Sequence, residues 1–262
     1  MKRRRSGGRA VEAQLPPAAT VSEDVTRKLS IPLLIGLLSL ALAGVAIARE
    51  AVGTPGNDLL RGSDGPDQLY GEAGADTLLA LGGDDYVEGG PGADAIVGGP
   101  GVDLLIAGTG NDSVRGGAGK DSVYAGHGND AVSGGADGDT LLGQAGHDRL
   151  RGGGGRDRMW GGSGADRLSG ESGDDYLTAS AQSLVDGGDD DDKIYIHDEG
   201  GSIPPLAHPS GYQVHGGRGS DSIDARDGRK SSVDCGPGSD RAYVDPEDRT
   251  RGCEQRIERA RV

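Results

Sequence analysis

The chain has 262 residues, with 51 glycines, no phenylalanine, 3% aromatic residues and a formal charge of −15. Low hydrophobicity joined to high net charge excludes a conventional large apolar core, so any fold must be held by something else. Residues 1–48 carry seven Lys/Arg against three Asp/Glu, which leaves −19 on the remainder; a body so anionic repels nucleic acid and anionic lipid and attracts cations.

The first element is residues 1–48. Lys2, Arg3, Arg4 and Arg5, then Arg27 and Lys28, precede an apolar run from Leu29 to Ala48 that ends in Ala46-Ile47-Ala48. This reads as an export signal cleaved near Ala48. The alternative is an uncleaved membrane anchor, since about 20 apolar residues can span a bilayer. Either reading puts the acidic body outside the cytoplasm.

From Gly53 the sequence divides into nine-residue units without a gap, and fourteen of them fill 53–178. A clear copy is Gly116-Gly117-Ala118-Gly119-Lys120-Asp121-Ser122-Val123-Tyr124. Position six is aspartate in all fourteen: Asp58, Asp67, Asp76, Asp85, Asp94, Asp103, Asp112, Asp121, Asp130, Asp139, Asp148, Asp157, Asp166 and Asp175. Position four is glycine in thirteen, Asp137 being the exception, and position eight is aliphatic or Met from Leu60 to Leu177. The first six residues predict a turn in which glycine permits positive φ and inward-pointing carbonyls. The last three predict a very short strand whose middle residue faces the core. One carboxylate per unit among carbonyls is a hard oxygen set, which suits Ca²⁺.

The pattern G-G-x-G-x-D-x-U-x resembles the RTX, or haemolysin-type, calcium-binding repeat. The resemblance implies an all-β chain: a right-handed parallel β-roll with two repeats per turn. It also implies several Ca²⁺ ions between adjacent turns, held by loop carbonyls and the position-six aspartates. A flexible Gly-Asp linker would have no reason to keep an aliphatic residue at every ninth position.

The regular phase breaks at Ala179, and 179–234 reads as degenerate repeats with loop insertions. Gly187–Tyr195 is a repeat with extra carboxylates, in which the run Asp189–Asp192 puts Asp192 at position six. Pro204, Pro205 and Pro209 mark a loop excursion, and Gly216–Asp224 restores the motif with Asp221. Asp192 and Asp221 therefore join the expected metal ligands. A last copy, Cys235–Tyr243, carries Ala242 in the core slot. In an exported chain Cys235 and Cys253 suggest one disulfide. The tail from Val233 to Glu254 resembles a terminal unit of some exported members of this repeat family, so 235–262 reads as a disulfide-linked cap over the end of the solenoid.

No H-E-x-x-H or G-x-S-x-G occurs, and His127, His147, His197, His208 and His215 are scattered. The expectation is therefore no enzyme but a calcium-binding structural or surface-interaction module, with an adhesive or carbohydrate-binding surface protein as the first alternative and a polysaccharide-modifying enzyme as the second. Position nine of alternate units reads Tyr70, Glu88, Ile106, Tyr124, Leu142, Trp160, Thr178. Two repeats per turn would align these on one outer face, where Tyr70, Tyr124 and Trp160 are candidates to meet a glycan or cell-surface partner.

Overall fold

The structure is a computed structural model, and it describes residues 49–180, 182–197 and 212–258. The export-signal reading of 1–48 falls outside the described residues, as does the proline-containing stretch 198–211.

Among the described residues the regular structure is entirely β, in twenty-three strands. They alternate between two parallel sheets, one of twelve strands and one of eleven, which stack into a solenoid of about eleven turns. Val123 aligns with Leu105 on one side and Leu141 on the other, a step of two nonapeptides per turn. The solenoid follows from the sequence period. A two-residue alternation puts position eight inside and positions seven and nine outside, and the turn after each strand carries the chain to the opposite sheet.

The strands are longer than the predicted triplet. Ser122–His127 and Ala131–Ala136 run on through the first two residues of the following unit, Ala125-Gly126 and Gly134-Gly135, and Gly135 aligns with Gly117 and Gly153. Glycine at positive φ, +126° at Gly135, lets neighbouring turns approach closely enough to continue the ladder.

Two positions per repeat point inward, not one. Position eight supplies the large core residues, including Leu69, Ile96, Leu105, Leu141, Met159 and Leu177. Position one is always Gly or Ala, and Ala80, Ala107 and Ala125 are fully buried there. The inward residues of both sheets form one continuous apolar cluster between them.

Position four explains its glycine. Gly92 sits at φ +153°, and a Cβ there would run into the carbonyl of Gly74 in the preceding turn. Asp137 replaces that glycine and holds φ +74°, the left-handed region that aspartate tolerates. Left-handed strain on a non-glycine residue is on the order of 1 kcal/mol. Asp137→Gly is therefore expected to leave stability unchanged or raise it by up to about 1 kcal/mol, read as the thermal midpoint in saturating Ca²⁺. A clear loss would contradict this account of the turn.

The ladders continue past Ala179. Leu168 pairs with Val185, a step of 17 residues, so one residue is dropped and the register of the core is kept. Val185 then pairs with Val214, Val214 with Val233, and Val233 with Thr250. The last strand, Gln255–Glu258, pairs with Arg241–Val244. Cys235 and Cys253 form a disulfide with Cα atoms 5.1 Å apart. It ties two successive turns just beyond the strands Ser232–Asp234 and Arg249–Arg251.

The two outer faces differ. Six of the seven tyrosines and the single Trp lie on the twelve-strand sheet: Tyr70, Tyr86, Tyr124, Trp160, Tyr176, Tyr195 and Tyr243. The eleven-strand sheet carries none of them and instead presents Arg61, Arg115, Arg149, Arg151 and Arg167, all exposed.

Candidate metal centre

The position-six aspartates stand just before each strand, where the turn enters the sheet. Two repeats per turn sort them into two columns. One runs Asp58, Asp76, Asp94, Asp112, Asp130, Asp148, Asp166; the other runs Asp67, Asp85, Asp103, Asp121, Asp139, Asp157, Asp175 and continues through Asp192 and Asp221. Within a column each aspartate's backbone N–H donates to Oδ1 of the aspartate one turn on, as from Asp121 to Asp139 at 2.8 Å. From Asp67 onward these residues are at most 3% exposed; Asp58, in the first unit, is half-buried.

The second oxygen distinguishes the sites. In the first two units the chain satisfies it: Thr54 N–H and hydroxyl donate to Asp58 Oδ2 at 2.6 and 2.9 Å, and Ser63 does the same for Asp67 at 2.5 and 2.9 Å. From the third unit the pattern changes. Oδ2 of Asp76, Asp85, Asp94, Asp103, Asp112, Asp121, Asp130, Asp139, Asp148 and Asp157 is buried with no hydrogen-bond partner, as is that of Asp175, Asp192, Asp221 and Asp240. An ionised oxygen buried in this way costs several kcal/mol unless a cation or a proton meets it.

These oxygens share their space with carbonyls of the next turn. A Cβ built on Gly89 would lie 2.6 Å from both Asp94 Oδ2 and the Ala107 carbonyl; on Gly143 it would lie 2.5 Å from both Asp148 Oδ2 and the Gly161 carbonyl. No three acidic, imidazole or thiol side chains converge on one point among the described residues. Each column supplies one carboxylate per turn, and backbone carbonyls supply the neighbouring oxygens. All-oxygen sets with few charges suit a hard divalent cation of Ca²⁺ size.

The carboxyl groups also titrate abnormally. Burial, followed by repulsion from stacked neighbours, raises Asp103 and Asp148 from 3.8 to about 6, Asp139 and Asp175 to about 7, and Asp192 to about 8; hydrogen bonds from the column's backbone N–H groups oppose the rise. Both causes penalise negative charge, and a bound cation relieves both.

The columns diverge beyond Asp166. The Asp166 N–H donates to Ser183 Oγ at 3.0 Å, Tyr212 stands at the same place one turn on, and Ser231 follows before Asp248 restores a carboxylate. Tyr212 is buried and its hydroxyl donates to the Ala225 carbonyl at 3.0 Å. The other column stays acidic to the end: the Asp221 N–H donates to Asp240, and the Asp240 N–H to Glu254 Oε2 at 2.7 Å. Asp240 and Glu254 are thus column members beyond those expected from the sequence. Asp240 was signalled by position six of the copy beginning at Cys235; Glu254 falls outside any nonapeptide. His127 and His147 are exposed, and His147 Nδ1 accepts from the Ala165 N–H at 2.9 Å.

The chain matches the family described as RTX calcium-binding nonapeptide repeat (4 copies) over residues 52–87, 70–105, 79–114, 106–141, 142–177 and 213–229, more than half of its length. It belongs to that family. No curated protein matches it. This is therefore an RTX calcium-binding repeat protein folded as a parallel β-roll, and the family's calcium chemistry fits the buried, unpartnered oxygens. The residues that would hold the ions are the position-six aspartates through Oδ2, together with carbonyls such as those of Ala107 and Gly161.

Proposed function

We propose that this RTX chain is an exported, non-enzymatic module that folds on binding several Ca²⁺ ions and serves outside the cytoplasm as a structural or surface-interaction element. The observation that carries the reading is the column of buried carboxylate oxygens without partners. At the low free Ca²⁺ of a cytoplasm these oxygens oppose folding; at millimolar Ca²⁺ each occupied site stabilises the fold by mass action. Such a chain can remain unfolded during export and fold where calcium is abundant. The basic N-terminal stretch, the apolar run and Ala46-Ile47-Ala48 support export. The described residues hold one apolar cluster, between the two sheets, and the sequence lacks the hydrolase and metalloprotease motifs.

The test is to express the full chain in an exporting bacterium and follow both place and state. The expected outcome is protein outside the cytoplasm, beginning near Arg49, and protease-resistant only in millimolar Ca²⁺. Protein that stays in the cytoplasm, already resistant to protease without calcium, would refute the reading.

A further inference from the structure

The face of the roll offers a site that the calcium chemistry does not use. Trp160, Tyr176, Tyr195, His197, Asp224 and Arg226 line a groove of about 620 Å³ on the outside of the twelve-strand sheet. The Trp160 and Tyr176 rings lie 5.9 Å apart, and Tyr176 and Tyr195 5.1 Å. Each step is close to the length of one pyranose ring along an extended chain. Tyr70 and Tyr124 share the outer ladder row with Trp160 but not the groove; Tyr70 packs instead on Tyr86 at 5.6 Å.

Strand propensity alone does not place these rings. It would divide seven aromatic residues about evenly between two similar sheets, yet all seven of the outward-facing ones are on one. Burial in a private core does not explain them either, since Tyr195 is 37% exposed and Trp160 and Tyr176 are partly exposed.

Charge selects the ligand. Arg158 and Lys193 flank Tyr176 in register on the same outer face. Both are exposed, and neither makes an ion pair among the described residues. Arg226 pairs with Asp224 through Nε–Oδ1 at 2.8 Å and Nη2–Oδ2 at 2.5 Å and lies over the Tyr243 ring. Two cations outside any close ion pair, with only Asp174 acting on Lys193 at longer range, stand beside three rings on a protein of net charge −15 and are complementary to an anion with apolar faces. Arg158 and Lys193 stand two strand spacings apart, about 10 Å, the reach of two sugar rings.

We infer that this groove binds an acidic oligosaccharide, one with a carboxylate on alternate rings. The pyranose C–H faces stack on Trp160, Tyr176 and Tyr195, while Arg158 and Lys193 meet successive carboxylates. The Asp224–Arg226 pair accepts from and donates to ring hydroxyls. The inference rests on the surface-interaction reading and adds its ligand class.

The test uses the calcium-loaded full chain, with circular dichroism on the same sample to establish folding. Trp160 fluorescence and calorimetry follow titration with hyaluronan and unsulfated chondroitin oligomers, both of which carry a carboxylate on alternate rings, and with uncharged chito-oligosaccharide. The expected result is saturable binding of at least one acidic oligomer, weakened by salt, with the neutral oligomer at least about tenfold weaker. Arg158→Ala and Tyr195→Ala should each weaken binding about tenfold, 1.4 kcal/mol, while Arg149→Ala on the opposite sheet leaves it unchanged. No binding by the folded chain, equal binding of the neutral oligomer, an equal loss in Arg149→Ala, or a Trp160 already shielded from acrylamide would each overturn the inference. If the chain is folded in chelator, the calcium reading fails while the sugar titration still decides this one.

Discussion

With calcium removed by chelator, the chain should lose its β structure at pH 7.5 and regain part of it when the pH is lowered to about 4.5. The direction follows from the raised carboxyl groups. Asp103 and Asp148 at about 6, Asp139 and Asp175 at about 7 and Asp192 at about 8 bind protons in the roll that the unfolded chain, near 3.8, does not. Between pH 4 and 8 the ion-free roll therefore holds more protons than the unfolded state, and its stability rises as pH falls. Below about pH 4 both states are protonated and the gain levels off. In the presence of Ca²⁺ the sign reverses, because protons compete with the ion for the same oxygens and the apparent affinity should fall with acidification. Circular dichroism and sedimentation at both pH values, with and without calcium, measure the two opposed trends. A chelated chain that gains no β structure between pH 7.5 and pH 4.5 would contradict the buried-carboxylate account.

The second large effect is expected from Asp139. Asp139→Ala removes the Oδ2 that would meet the ion and also the acceptor of the Asp121 N–H, leaving a buried donor unmet at about 1–3 kcal/mol. Asp139→Asn retains an oxygen at Oδ1 and removes only the charge and the second ligand oxygen. Both should weaken the calcium sites they face by roughly tenfold, about 1.4 kcal/mol per site, with the alanine variant less stable again. Ser183→Ala is the contrast. It removes the hydroxyl that accepts from the Asp166 N–H, so it should lower stability without changing the number of ions bound. Equal calcium titrations for wild type and Asp139→Asn would mean that the Oδ2 column does not bind the ion.

Much of this was readable from the nine-residue period. The period assigned the inward position eight, and the resemblance to the nonapeptide family implied the two-repeat turn that stacks Tyr124 between Ile106 and Leu142. The disulfide of Cys235 and Cys253 is also present. Other features had no periodic signal. The small residues at position one looked like turn glycines, yet Ala80 and Ala107 are core, because a side chain there faces inward against the next turn's carbonyl. The step from Asp166 to Ser183 drops one residue, which hides that serine, and Tyr212 and Ser231 after it, from a nine-residue count. Glu254 reaches the column from outside any repeat. Tyr176 belongs to position seven, so a search along position nine alone finds Trp160 without the ring packed beside it.

The most direct test of the central claim is a calcium titration of the full chain at pH 7.5, followed by far-ultraviolet circular dichroism, with bound ions counted by equilibrium dialysis. The account predicts a chain with little β structure in chelator and a cooperative gain of strand signal near 10⁻⁴–10⁻³ M Ca²⁺, with uptake of several ions in step with folding. A spectrum unchanged between chelator and millimolar Ca²⁺, or folding without ion uptake, would contradict it.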